Sequence, residues 1–206
     1  MSTTSTAQDQ IGAVILAAGA SRRMGQPKLI LPWGKTTVIG QIIEVLLASG
    51  LTEIRVVTGG NHAAVQDALI HYPVQAVFNA NYANDDMVHS LRLGLVALKK
   101  EIQAALVVLG DQPQIQVETI QALLAAYPTT ALPLIVPSYN QKRGHPWLVA
   151  RSLWAELIAL KPPATLRDFL NKNAEQIHYV RVATPGILKD LDTPDDYARE
   201  RPANPS

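Results

Sequence analysis

The chain of 206 residues contains no cysteine. Disulfides, thiolate metal sites and a cysteine nucleophile are therefore excluded, and the compartment is left to other signals because a reducing cytosol tolerates cysteine-free proteins. An excess of charge of one sign is also missing. Lys and Arg number 18 against 17 Asp and Glu, a net charge of +1, and they are spread along the sequence. That distribution gives no electrostatic footprint for a nucleic-acid backbone or an anionic membrane, so neither is expected as a partner and a small-molecule substrate is the simpler expectation. No apolar run approaches the roughly 20 residues that span a bilayer. The apolar stretch from Ala13 to Ala18 has its first basic residue, Arg22, after it rather than before it, the wrong order for a secretory signal. A cytoplasmic protein is expected. Aromatic residues make up only 5%; Trp33, Trp147 and Trp154 are too scattered for a base-stacking platform, and His62, His71 and His178 lack metal-ligand spacing.

What is present is a globular composition, 48% hydrophobic and 17% charged, in a chain long enough to bury roughly 70% of its unfolded surface in one domain. That domain is expected over 11–200, with a disordered leader over 1–10 and a frayed tail over 201–206. Short β-branched or aliphatic runs, from Ala13 to Leu16, Glu53 to Thr58, Val74 to Phe78, Ala104 to Leu109, Leu134 to Pro137 and Ile177 to Val182, alternate with stretches of helical periodicity. The helices are predicted to begin near Thr37, Asn61, Met87 and Gln116, with two more over Ser152 to Leu160 and Leu166 to Asn173. This is the pattern of an α/β fold with a mostly parallel sheet flanked by helices. The first helix carries its own boundaries: Thr36 or Thr37 as cap, an apolar stripe of Ile39, Ile42, Ile43, Leu46 and Leu47, and Gly50 at the exit.

The segment from Leu16 to Lys28 leaves the first strand with glycines at 19 and 25, the hydroxyl of Ser21 and the cations Arg22, Arg23 and Lys28. Small residues let backbone N–H groups approach phosphate oxygens, and cations neutralise what the backbone cannot, so the loop has the chemistry of a triphosphate cradle. In open α/β sheets such loops lie where ligands bind, at the carboxyl ends of the strands. Two better-known phosphate loops are absent. The glycines at 12, 19 and 25 lack the dinucleotide spacing, and Gly34-Lys35-Thr36 would need its earlier glycine where Leu29 stands. An ordinary basic connection is the alternative.

The string Leu-Ala-Ala-Gly-x-Ser-x-Arg-Met-Gly-x-x-Lys, filled by Leu16 through Lys28, resembles the signature of the nucleotidyltransferases that include molybdenum cofactor cytidylyltransferase and guanylyltransferase. More distantly it resembles the opening loops of sugar-nucleotide pyrophosphorylases. The resemblance implies a three-layer Rossmann-like nucleotidyltransferase fold, with Leu16, Ala17, Ala18 and Gly19 on the base and ribose side and Ser21, Arg23, Gly25 and Lys28 on the phosphates. Arg22 occupies a variable position and reads as a solvated charge. Gly110-Asp111-Gln112-Pro113 delivers a carboxylate at a strand end, as an Asx turn, a helix cap or a magnesium ligand. It resembles the family's metal-binding turn, in the form found in the cytidyl branch. Near the end, Asp190-Leu191-Asp192-Thr193-Pro194 precedes a proline-started helix that Asp192 or Thr193 can cap. The family resemblance makes Asp192 the second metal ligand beside Asp111, with Asp190 as a further acidic position.

Arg143-Gly144-His145-Pro146 resembles the family's Gly-His-Pro segment, which places Gly144 and His145 on the acceptor side; His145 can equally be a turn residue. Asn79 to Arg92 stands where the cytidylyltransferases carry Asn-Pro-x-x-x-x-Gly-Met-x-Ser-Ser-Leu-Arg. Asn79, Met87, Ser90 and Arg92 fit, which adds Asn79 and Ser90 to the nucleotide site, whereas Asp86 and His89 depart from it. The reading is a Mg²⁺-dependent enzyme that transfers CMP, or as second choice GMP, to a phosphorylated small molecule, with molybdopterin as acceptor. Lys28, Arg23 and Asp111 would be the catalytic groups, and a molybdoenzyme or cofactor-insertion chaperone a possible protein partner. A sugar-phosphate nucleotidyltransferase and a non-catalytic nucleotide-binding cofactor chaperone are the competing readings.

Overall fold

The computed structural model describes residues 10–84 and 87–202. The disordered leader and tail expected at the two ends lie outside the described residues, apart from Gln10, Arg201 and Pro202. Gln10 already joins the fold, its carbonyl accepting from the Gln103 N–H at 2.7 Å. In chain order the elements are β1 (Ile11–Ala17), β2 (Pro32–Trp33), β3 (Thr36–Thr37), α1 (Val38–Ala48), β4 (Glu53–Thr58), α2 (His62–Leu69), β5 (Gln75–Phe78), α3 (Met87–Ala97), β6 (Ala104–Leu109), α4 (Val117–Ala126), β7 (Leu134–Tyr139), β8 (Lys142–Arg143), β9 (Trp147–Ala150), α5 (Trp154–Ala159), α6 (Leu166–Lys172), β10 (Ile177–Arg181) and α7 (Pro194–Glu200).

One sheet runs β10-β7-β9-β6-β1-β4-β5, with β8 paired to β7. The pairs β1–β4, β1–β6, β4–β5 and β7–β10 are parallel, as expected for βα units. Strand β9, which the periodicity does not predict, enters antiparallel between β6 and β7. Its four residues are too few to show alternation. The chain reaches it through the β7–β8 hairpin, whose turn residues Asn140 and Gln141 have φ of 48° and 64°. Two successive positive φ angles are what a tight hairpin needs, but Asn-Gln lacks the glycine that would announce it.

The sheet is apolar on both faces. From β1, Ala13, Ile15 and Ala17 point to the core beneath α1, α2 and α4, while Val14 points to the one beneath α3, α5 and α6. The same division runs through β6, where Leu106 and Val108 face one layer and Ala105 and Val107 the other. Near-continuous aliphatic runs are the mark of strands covered on both sides. Thr37 caps α1 by accepting from the Gly40 N–H at 3.1 Å, and Gly50 ends it with φ 89°, its N–H donating to the Leu47 carbonyl while the Leu51 N–H reaches Leu46.

The order of the strands sets the location of ligand chemistry. From β1 the chain moves outward through β4 and β5, then returns to place β6 on the other side of β1, so the loops after β1 and β6 diverge from neighbouring strand ends. Helix α3 makes that return and must lie close to the sheet. A Cβ on Gly94 would collide with Val14 and touch Val57. Gly94→Ala should therefore lose stability: overpacking of about 1–3 kcal/mol outweighs a helix-propensity gain of at most about 1 kcal/mol. A urea melt should show a lower midpoint for Gly94→Ala, and a midpoint equal to or above that of the unaltered protein would refute this packing argument.

Candidate active site

The carboxyl ends of β1 and β6 are in register, Leu16 opposite Leu109, and a cavity of about 530 Å³ opens above them. The Gly110 N–H donates to the Leu16 carbonyl at 3.0 Å, and a Cβ at this position would press on the same oxygen at 2.8 Å, so only glycine lets the two loops part this close to the sheet. Residues 16–23 with Lys28 and Leu29 form one wall, and Leu109, Gly110 and Asp111 form another. Asn79, Tyr82, Met87 and Ser90 close a third side, and Asp190 and Asp192 come from the C-terminal segment.

The loop after β1 is folded by its own polar groups. Ser21 adopts a left-handed conformation, φ 53°, and its hydroxyl oxygen accepts from the Lys28 N–H at 3.1 Å, closing residues 21–28 into a compact turn. Gly25, φ 71°, ends the short helical turn Arg22–Met24. That structural role keeps Gly25 outside the cavity lining, whereas Arg22, read from the sequence as a plain surface charge, lines the cavity and remains exposed. Lys28 is drawn inward. Its ammonium donates to Asp111 Oδ2 at 2.7 Å and to the Leu191 carbonyl at 2.9 Å, and lies 3.5 Å from Asp192 Oδ1. Arg23 reaches the same Asp192 oxygen at 2.9 Å.

The C-terminal segment is fixed by two hydrogen bonds to the Gly110–Pro113 turn and by one buried side chain. The Leu191 N–H donates to the Asp111 carbonyl at 3.0 Å, the Leu191 side chain is fully buried, and Gln112 Nε2 donates to Asp190 Oδ1 at 2.7 Å. An extended backbone with Leu191 turned into the core leaves Asp190 and Asp192 on the opposite side, facing the cavity. Burial pushes the Asp190 carboxyl above its usual range, and the charges of Asp111 and Asp192 add to the rise, against the lowering by Gln112. The helix cap is Thr193. Its hydroxyl accepts from the Asp196 N–H and donates to Asp196, whose pKa falls to about 2 through the Thr193 and Arg199 hydrogen bonds. Asp192 is thereby released from the capping role that the sequence allowed it, and faces Arg23 and Lys28 instead.

Asn79 and Ser90 line the cavity as a bonded pair, Asn79 Nδ2 donating to Ser90 Oγ at 3.0 Å while Asn79 Oδ1 accepts from the Asn81 N–H. Arg92 points elsewhere. It donates to the carbonyls of Ile158 and Leu160 and so terminates α5. His89 is half-buried on α3 and is not among the residues that line the cavity, while Asp86 lies outside the described residues. Tyr82 and Ala20 line it without having been singled out by motif; both stand in variable positions, where sequence spacing carries no signal.

Gly144 and His145 also lie outside the cavity lining. The Gly144 N–H donates to the Pro137 carbonyl and the His145 N–H to the Ile187 carbonyl, which packs them under the turn Pro185–Leu188. The His145 ring sits 6.3 Å from the Trp147 ring, and burial pulls its pKa from 6.5 to about 4. At neutral pH this imidazole is uncharged. Because the unfolded chain takes up the proton near pH 6.5 and the folded one near pH 4, stability is lost as the pH falls through that window. The loss is no more than about 3 kcal/mol. Thermal melts between pH 7 and 4 should fall more steeply for the unaltered protein than for His145→Gln. Parallel pH curves would show that His145 titrates normally.

Residues 13–177 match the MobA-like NTP transferase domain. The chain is 28% identical over 195 residues to molybdenum cofactor cytidylyltransferase of Escherichia coli (strain K12), covering 93% of this chain and 96% of that one. It is 29% identical over 197 residues to nicotine blue oxidoreductase of Paenarthrobacter nicotinovorans, covering 89% and 92%. Among solved structures, Rv0371c from Mycobacterium tuberculosis H37Rv superposes with a TM-score of 0.83 at 29% identity, covering 93% and 97%, and a manganese complex of Rv0371c superposes with 0.73 at 28% identity, covering 92% and 97%. A fold, a cavity-lining loop after the first strand and a domain match over most of its length thus agree that the chain belongs to the MobA-like NTP transferase family.

Proposed function

We propose that the protein transfers CMP, with GMP as the less favoured alternative, from a nucleoside triphosphate to the terminal phosphate of molybdopterin, releasing pyrophosphate. The observation that carries this reading is the convergence of Lys28, Asp111 and Asp192 at the mouth of the cradle formed by residues 16–23. An acceptor phosphate oxygen attacks the α-phosphorus, the bond from that phosphorus to the β-phosphate oxygen breaks, and pyrophosphate leaves with the electron pair. The acceptor phosphate is ionised at neutral pH, so the step needs no strong general base, and the uncharged His145 is not asked to be one.

Asp111 and Asp192 suit a magnesium ion because their oxygens already converge on one cation, the Lys28 ammonium, at 2.7 and 3.5 Å, and hard carboxylate oxygens are the donors this ion prefers. Bound there, Mg²⁺ would neutralise charge on the phosphates and on the leaving pyrophosphate. The manganese complex of the mycobacterial relative supports a divalent metal in this fold at 28% identity. Lys28 and Arg23 supply cationic contacts to the phosphates, and the backbone of Ala17 to Gly19 seats the base and ribose. Ala18 lines the cavity, and its methyl group favours the smaller pyrimidine; one methyl in such a pocket is worth about 1–3 kcal/mol. The molybdopterin acceptor rests on the relationship to the Escherichia coli cytidylyltransferase.

Three substitutions and a nucleotide panel test the reading. Asp111→Asn should abolish CTP-dependent pyrophosphate release with molybdopterin while metal-free triphosphate binding persists; full activity would remove Asp111 from the metal site. Lys28→Ala should lower kcat far more than CTP affinity, because a cation beside the α-phosphate acts mainly on charge that develops in the transition state. An equal loss confined to binding would make Lys28 an anchor only. Asp192→Asn should leave the protein folded, since Thr193 is the cap, yet weaken the apparent Mg²⁺ affinity tenfold or more. Wild-type metal dependence would exclude Asp192 as a ligand. In a thermal-shift panel CTP with Mg²⁺ should stabilise most, by about 2.7 kcal/mol at 100 times Kd, and a response to purine triphosphates alone would overturn the cytidyl assignment.

A further inference from the structure

The two carboxylates read here as metal ligands are engaged by the protein's own cations. Lys28 donates to Asp111 at 2.7 Å and sits 3.5 Å from Asp192, its third contact is the Leu191 carbonyl at 2.9 Å, and Arg23 holds Asp192 at 2.9 Å. The Lys28 side chain is only 13% exposed, so its charge depends on these oxygens rather than on water. We propose that Lys28 is an internal counter-cation that must leave the Asp111–Asp192 pair before a divalent metal can bind, so that the metal enters with the triphosphate and not ahead of it. This rests on the assignment of Asp111 and Asp192 as the metal ligands.

The argument is one of charge pairing. A metal ion arriving alone would sit beside the Lys28 ammonium, two cations competing for the same oxygens in a place where the lysine has little solvent to retreat to. A triphosphate arriving in the cavity that Lys28 lines offers the lysine a second set of oxygens. The ammonium can then exchange carboxylate for phosphate oxygens, which would leave Asp111 and Asp192 free to hold a metal ion. Arg23, 71% exposed and bonded to Asp192 alone among the described contacts, can make the same transfer at lower cost. While the lysine holds the pair, the apparent metal affinity is reduced by the fraction of molecules in which the pair is open. By reciprocity the same coupling makes metal and nucleotide reinforce each other's binding.

The test is Mn²⁺ binding to the full chain in the absence of nucleotide, followed by the electron paramagnetic resonance signal of free Mn²⁺. Lys28→Met should bind Mn²⁺ at least tenfold more tightly than the unaltered protein, and adding Asp192→Asn to it should remove the gain. Arg22→Met is the charge control, because Arg22 lines the same cavity without an ion pair to either carboxylate among the described contacts; it should change Mn²⁺ affinity less than twofold. Lys28→Gln serves if the methionine variant does not fold. Equal Mn²⁺ affinity in the unaltered protein and both Lys28 variants would overturn the exchange, and so would an equal gain in Arg22→Met, which would reduce the effect to net charge. A separate arm with CTP present tells this failure from that of the metal assignment. If Asp111→Asn and Asp192→Asn then hold Mn²⁺ as well as the unaltered protein, the ligands are misassigned and the lysine proposal falls with them.

Discussion

A single ammonium group joins parts of the chain that sequence keeps far apart. Lys28 Nζ meets Asp111, 83 residues on, and the carbonyl of Leu191, 163 residues on, and each of those partners is held by a different device. Asp111 follows the turn that Gly110 permits at the end of β6, and the last strand-like residues reach the same place because Leu191 is buried while its N–H is taken by the Asp111 carbonyl. The Asp-Leu-Asp alternation then does the rest. With leucine turned inward, the two flanking carboxylates can only face the cavity, and Gln112 fixes the outer one. The cradle, the acidic turn and the C-terminal segment therefore form one unit, although only the first two lie at the ends of neighbouring strands.

A second charged cluster shows what a purely structural arrangement looks like in the same sheet. At the amino end of β4, Glu53 is bonded to Arg55 and to Lys99, and Arg55 also donates to the carbonyls of Ile54 and Ala97. Glu53 and Arg55 are buried, and each has its partners within the protein. Around Lys28 the partners are again internal, but the groups face a cavity of about 530 Å³ and the carboxylate of Asp190 is driven upward by burial and by its acidic neighbours. Unfavourable concentration of negative charge beside an open cavity is the expense of a site, and the cations of the β1 loop offset it.

Overall identity does not choose the reaction within this family. The Escherichia coli cytidylyltransferase and the Paenarthrobacter oxidoreductase are 28% and 29% identical to this chain over nearly the same span. The proposed chemistry therefore rests on particular groups and only its acceptor on likeness, and several motif residues prove to hold the fold. Arg92 terminates α5, Ser21 closes the β1 loop on the Lys28 N–H, and Asn79 is bonded to Ser90 and Asn81. A residue can serve a motif by shaping the wall of the site without meeting the substrate.

The alternation of aliphatic runs with helical periodicity was enough to specify the parallel βα units, because strands buried on both faces must be apolar throughout and helices need one apolar stripe. The glycine and cation content of residues 16–28 likewise pointed to the loop that lines the cavity at the end of β1, since those properties are local. Local sequence carried no sign of β9, four residues long and held in place by partners on both sides, nor of the Asn140-Gln141 turn that leads to it. It left Asp192 and Thr193 as equal candidates for the helix cap. Only the three-dimensional arrangement, with the Thr193 hydroxyl on the Asp196 N–H and Leu191 buried, sent Asp192 to the cavity. The same holds for Gly144 and His145, whose motif suggested a ligand contact and whose packing beneath residues 185–188 took them out of the lining. Composition and periodicity are properties of neighbours along the chain; which polar group of the β1 loop meets which carboxylate depends on segments far apart in sequence, 83 residues for Lys28 and Asp111 and 169 for Arg23 and Asp192, and that was decided by how the sheet was ordered.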